Sequence, residues 1–182
     1  LDLPIAPGRS FASDNAAGAH PTIMQAIVDA NEGHALAYGQ DEHTKRCETA
    51  FSELFGTDVT TRLAFNGTGA NIVALANMLG SLQGPHHAIV CTDWAHIAVD
   101  ETGAPERTLG TKLLEIASPD AKLTPESLQS VTHLQGVQHH VQPGVVSITQ
   151  ATELGTLYTA GEITDLCTAE HDMGTVVHRD GA

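Results

Sequence analysis

The stretch FNGTGAN, residues 65–71, sets two glycines around a threonine immediately before an aliphatic run. Gly67 and Gly69 let backbone approach an anion, and Thr68 adds a hydroxyl. A helix starting there aims free N–H groups and the positive end of its dipole at the same point. No Lys-Ser or Lys-Thr follows and the spacing is not GxGxxG, so neither a P-loop nor a dinucleotide fingerprint is present. An ordinary strand-to-helix turn has the same composition. Three further places carry polar chemistry behind aliphatic runs. His96, in CTDWAHIAVDETGAPE, suits stacking on a flat ring or moving a proton, and equally suits capping a helix. Gln150, Thr152 and Glu153 cluster in SITQATELGT, where turn formers are also common. His178 and Asp180 stand in TVVHRDGA, and a carboxylate at a strand end among helices needs a cationic or hydrogen-bonding partner unless water solvates it.

Those residues depend on the elements that hold them. Apolar residues at helical spacing predict helices over residues 20–33, with Pro21 early and Gly33 late, and over 41–56, stopped by Gly56. TRLAF (61–65) reads as a short strand, NGTGA as a tight turn, and 71–82 as a helix with an apolar stripe. HAIVCT (87–92), TKLLEIA (111–117), VVSITQ (145–150) and TVVH (175–178) read as short aliphatic strands, separated by helices over 124–131 and 160–174. Alternating strands and helices, each strand nearly continuously apolar, predict a three-layer α/β domain with a mostly parallel sheet. No repeat or linker breaks the chain, so residues 1–182 are expected to form one domain. In such sheets ligands bind beyond the carboxyl ends of the strands. An anion cradle, a stacking group, polar neighbours and a carboxylate for a heterocyclic nitrogen are together what pyridoxal phosphate requires.

Composition narrows the partners. The chain has 182 residues, 41% hydrophobic, and a formal charge of -14 from 22 acidic and 8 basic residues, which disfavours nucleic acid and membrane surfaces and favours a small molecule or a protein. Cys47, Cys91 and Cys167 are scattered and form no CxxC, so reduced thiols and a cytoplasmic setting are expected. No apolar run reaches the roughly 18 to 20 residues of a membrane helix, and no targeting segment is expected. Eleven histidines, with adjacent pairs beginning at His86 and His139, leave a metal-binding or other non-catalytic small-molecule-binding protein as an alternative; the pairs lack ligand spacing and read as loop histidines.

The stretches FASDNAAGAHP, AYGQDEHTKRCETAFSELFG, FNGTGANIVAL, DWAHIAVDETGAPE, KLTPESL, SITQATELGTLYT and VVHRDGA resemble, in order, the pyridoxal-phosphate-dependent threonine aldolases of the aromatic amino acid β-eliminating lyase group. The resemblance implies the large domain of fold type I, the aspartate-aminotransferase fold, incomplete at the C-terminus. It also implies that Gly67, Thr68 and Gly69 hold the cofactor phosphate, that His96 stacks on the pyridine ring, and that Asp180 pairs with its nitrogen, with Gln150 and His178 nearby. Ser13, with Asp14 beside it, is implied to meet the substrate carboxylate, and Tyr38 and Gly39 to line the active-site wall. Where many members carry a histidine, this chain has Thr152 and Glu153, which gives His96 more weight in proton transfer. The reaction implied is cleavage of threonine or allo-threonine to glycine and an aldehyde, by a homo-oligomer whose site is completed at a subunit interface. A β-eliminating lyase acting on another amino acid is the enzymatic alternative. The family's cofactor-binding lysine lies beyond the segment matched by TVVHRDGA. Lys45, Lys112 and Lys122 read instead as solvated charges, so the 182-residue chain alone is expected to be inactive. Arg179 stands where the family has an apolar residue and is expected to be locally exposed if it has no partner.

Overall fold

The computed structural model describes residues 16–82 and 86–181. The chain divides into two compact units, one ending at Arg62 and one beginning at Leu63. With elements numbered in chain order, the first unit holds α1 (Pro21–Ala30) and α2 (Glu42–Phe55). Pro21 opens α1, where its missing N–H breaks no helical bond. Asp41 caps α2 by accepting the Thr44 N–H at 2.8 Å, and Gly56 ends it in the left-handed conformation at φ 66°. Both helices stand where the apolar spacing put them. The stripe of α1, formed by Ile23, Met24, Ile27 and Val28, is exposed.

Residues 61–65 do not form the expected strand. Leu63 and Phe65 are 70% and 101% exposed, and no strand among the described residues pairs with this segment. Its β-branched and aromatic content suits a pleated, half-buried surface, but a strand also needs a neighbour to take its backbone bonds.

The second unit holds α3 (Gly67–Ser81), β1 (His87–Thr92), α4 (His96–Val99), α5 (Ala104–Leu109), β2 (Leu113–Ile116), α6 (Pro125–Thr132), β3 (Gln142–Thr149), α7 (Ala160–Met173) and β4 (Val176–Asp180). The four strands form a parallel sheet in the order β2-β1-β3-β4. Alternate residues serve opposite faces. Val90, Val146 and Ile148 pack with Leu128, Val131 and Leu166 of α6 and α7, whereas Ile89, Cys91 and Val145 pack with Leu75 of α3 and Ile97 of α4. Helix, sheet and helix make the three layers expected. All four strands run the same way, so their carboxyl ends share one edge. Gly144 sits at a shift in the β1–β3 register, where a Cβ would come within 2.9 Å of His87 and 2.7 Å of Leu82.

Of two charges singled out in the sequence, one lies at the surface and the other does not. Arg179 is exposed even though β4 is flanked by helices and a neighbouring strand, so its charge remains in water. Lys122 is not a solvated charge: its side chain is only 13% exposed and ion-paired with Glu162. Its Nζ also donates to the Leu157 carbonyl at 3.2 Å and lies 5.3 Å from the centre of the Tyr158 ring. The Tyr158 hydroxyl accepts the Leu123 N–H at 2.6 Å, so this cluster ties the start of α7 to the loop after β2. No helix among the described residues is long and apolar enough to cross a membrane.

Candidate active site

The carboxyl ends of β3 and β4, the start of α4 and the N-terminus of α3 enclose a cavity of about 180 Å³. Gly67, Asn71, His96, Glu101, Glu153 and Asp180 line it, with Thr149 and Ala151. On the α3 side, Asn66 has an extended backbone, and its side chain accepts the Gly69 N–H at 2.8 Å while its carbonyl accepts that of Ala70 at 3.0 Å. The first two helical N–H groups, of Gly67 and Thr68, have no partner within the helix and face outward with the dipole. A Cβ on Gly67 would meet nothing within 4 Å, so open space lies before the helix end.

On the opposite side the acids converge. Asn71 donates through Nδ2 to Glu101 Oε1 at 2.8 Å and to Asp180 Oδ2 at 3.0 Å. Because ionised carboxylates only accept, this pair of bonds fixes which end of the Asn71 amide faces them. Glu101 Oε1 also lies 3.0 Å from His96 Nδ1. The backbone N–H of His96 donates to Glu153 Oε1 at 2.7 Å, joining the turn after β1 to the turn after β3. The hydrogen bond to Glu101 raises the His96 pKa above its ordinary value; partial burial opposes the rise, and the charges of Glu101, Asp100 and Asp180 add to it. With Nδ1 committed to a carboxylate, Nε2 is the ring nitrogen left for a ligand. Among the described residues the cavity is rich in carboxylates and lined by neither lysine nor arginine.

Of the residues singled out in the sequence, Gly67, His96, Glu153 and Asp180 meet in this cavity, and Thr68 and Gly69 continue the first turn of α3. The others are placed differently. Gln150 brackets Tyr158, accepting its N–H at 2.8 Å and donating to its carbonyl at 3.2 Å. Thr152 is buried and exchanges a hydroxyl hydrogen bond with Thr156 at 2.7 Å. His178 is buried against Ser147, whose Oγ lies 2.9 Å from Nδ1, and burial lowers its pKa. Tyr38 belongs to the first unit, where it is fully exposed with a left-handed backbone at φ 63°, beside Gly39 at φ 78°. Ser13 and Asp14 lie outside the described residues. Sequence reasoning passed over Asn71 and Glu101. Their signals were weak: Asn71 follows Gly67 by one helical turn, and Glu101 follows His96 by five positions. Among the described residues, no group of three histidines, cysteines or acids is arranged to hold a metal ion.

Known proteins share this architecture. The family model for beta-eliminating lyases matches residues 10–182. The low specificity L-threonine aldolase of Pseudomonas aeruginosa is 41% identical over 175 residues, which is 96% of this chain and 49% of that protein. Among solved structures, the threonine aldolase of Leishmania major superposes with a TM-score of 0.84 at 31% identity, over 91% of this chain and 47% of its own. An aspartate aminotransferase from Rhodobacter sphaeroides shares the fold at a TM-score of 0.58 and 17% identity, over 88% of this chain and 41% of its own. The chain thus spans about half the length of the curated relatives it matches. Matched by that family's model through all but its first nine residues, the chain belongs to the beta-eliminating lyases.

Proposed function

We propose that the protein carrying this sequence binds pyridoxal 5'-phosphate at the α3 and β4 cavity and cleaves threonine or allo-threonine to glycine and an aldehyde. One observation carries the reading: a single cavity has a helix N-terminus at one side and the carboxylates of Glu101 and Asp180 at the other. A flat group with a phosphate and a protonated ring nitrogen fits those two ends, and the open space before Gly67 leaves room for the phosphate. The curated relatives and the Leishmania structure bear threonine aldolase names, which favours carbon–carbon cleavage over other chemistry of the fold.

The cofactor, when bound, supplies an electron sink for the electrons released as the Cα–Cβ bond breaks. Residues of this chain would hold its phosphate and ring and move a proton. Gly67 and Thr68 offer backbone N–H groups to the phosphate. Asp180, held by Asn71, would pair with the ring nitrogen and keep it protonated. His96 would stack on the ring, leaving Nε2 to accept the proton of the substrate hydroxyl while Nδ1 remains hydrogen-bonded to Glu101. Glu153 fixes the backbone from which His96 projects. The enzyme acts as a cytoplasmic homo-oligomer; the exposed apolar stripe of α1 and the free thiols of Cys47, Cys91 and Cys167 support that setting.

The test is a visible spectrum of the whole purified protein with pyridoxal phosphate, followed by assay of glycine and acetaldehyde from threonine. A bound, borohydride-fixed chromophore with glycine release is expected. A whole protein that leaves the cofactor's spectrum unchanged would overturn the reading.

A further inference from the structure

We infer that Glu101 is a positioning residue for both working ends of this site: one buried carboxylate orients His96 directly and Asp180 through Asn71. The inference rests on the proposed reading, in which His96 and Asp180 are the groups that meet the cofactor.

Glu101 is 3% exposed, and its Oε1 takes both the Asn71 amide at 2.8 Å and His96 Nδ1 at 3.0 Å. Its Oε2 is buried without a hydrogen-bond partner. An acid so placed destabilises the fold unless something else requires it. It is not there to cap a helix, because α5, which begins three residues later, has no side-chain cap. The backbone around it also serves its placement. Thr102 and Gly103 adopt left-handed conformations at φ 53° and 71°, and a β-branched residue is strained there. That double turn carries the chain from α4 into α5 with Glu101 directed toward His96. The same Asn71 amide group then bridges to Asp180 at 3.0 Å, so one carboxylate is two hydrogen bonds away from the acid at the end of β4. A single hub of this kind keeps the stacking ring and the nitrogen-facing acid in register with each other, which separate anchors would not.

The experiment uses the whole protein, first without cofactor. Histidine labelled at Cε1 is titrated by NMR in wild type and in Glu101→Gln, with His96 assigned from its loss in H96Q. In E101Q the His96 midpoint moves to lower pH; the shift is partial, because Asp100 and Asp180 still favour the protonated ring. With cofactor bound, E101Q loses about tenfold or more in kcat with KM changed by less than about twofold, as expected when an orienting partner is removed and binding is kept. A folded E101Q with an unchanged His96 midpoint overturns the inference. Where E101Q does not fold, the wild-type Glu101 carboxyl carbon decides: a second inflection at the His96 midpoint supports the coupling, and its absence refutes it. The cofactor-free titration answers the question about Glu101 even if the whole protein fails to bind pyridoxal phosphate, which would be a failure of the functional reading instead.

Discussion

Gly67 and Gly69 look equivalent in FNGTGAN, yet their surroundings differ. A Cβ on Gly67 would meet nothing within 4 Å, whereas one on Gly69 would come 3.2 Å from Asn66 Oδ1, the oxygen that caps α3. Gly67→Ala therefore leaves the melting temperature of the cofactor-free protein unchanged or slightly higher, since alanine is the better helix former. It also puts a methyl group in the space before the helix end, and the cofactor dissociation constant rises about tenfold, equivalent to about 1.4 kcal/mol. Gly69→Ala behaves the other way, losing about 1 kcal/mol of stability as the cap is displaced. Thermal melts and cofactor titrations of both variants separate the two roles; equal behaviour would show that the two glycines do not divide cofactor binding and capping between them. The sequence showed that a helix begins near these glycines, although an ordinary turn has the same composition and the strand expected before it is absent. Asn71 and Glu101 were not legible in it, because an asparagine inside a helix and a glutamate in a turn resemble surface residues. What makes them part of the site is their meeting across 30 positions with each other, and across 109 positions for Asn71 with Asp180.

At the scale of elements, α7 shows how a helix can be well begun and carry an internal liability. Thr159 and Glu162 form a capping box at its start, and Gly174 ends it in the left-handed conformation at φ 72°. Between them Glu170 is fully buried; one of its oxygens accepts from Thr175 and the other has no partner. Burial pushes its carboxyl up to about 7, with the Thr175 hydrogen bond opposing. The folded protein thus holds this proton more tightly than the unfolded chain, whose carboxyl titrates near 4.5. Its contribution to stability is fully present below that value, falls as pH rises through the window from about 4.5 to about 7, and stays low above it. The loss is on the order of 3 kcal/mol. Glu170→Gln removes a titrating group, so chemical denaturation at pH 5 and pH 8 shows a smaller difference for the variant than for wild type; parallel curves would contradict the assignment. The longer helices and the strands were readable from helical spacing and short aliphatic runs, whereas α4 and α5, of four and six residues, are too short to show a pattern. The segment TRLAF had the right residues for a strand but not the neighbour, and no count of β-branched side chains reports whether a partner strand exists.

The chain combines the cavity proposed for the cofactor with surfaces that a stable monomer does not normally expose. Leu63, Phe65, Leu54, Phe55 and the α1 stripe are all half exposed or more. None of its three lysines lines the cavity. Lys45 pairs with Glu42 at 2.6 Å in the first unit, Lys122 is held by Glu162, and Lys112 is exposed before β2. A lysine that bonds covalently to the cofactor has to stand unprotonated beside its aldehyde, and an ion-paired or solvated ammonium does neither. The 182-residue chain prepared by itself is therefore expected to bind a hydrophobic dye and to self-associate as its concentration rises, as seen by light scattering. Incubated with pyridoxal phosphate and borohydride, it acquires only substoichiometric label spread over its lysines, and it releases no glycine from threonine. Peptide mapping reads the distribution: one fully labelled lysine would show that this chain supplies its own covalent anchor. Label confined to a residue outside these 182, in the whole protein, would show instead that another segment supplies the covalent anchor.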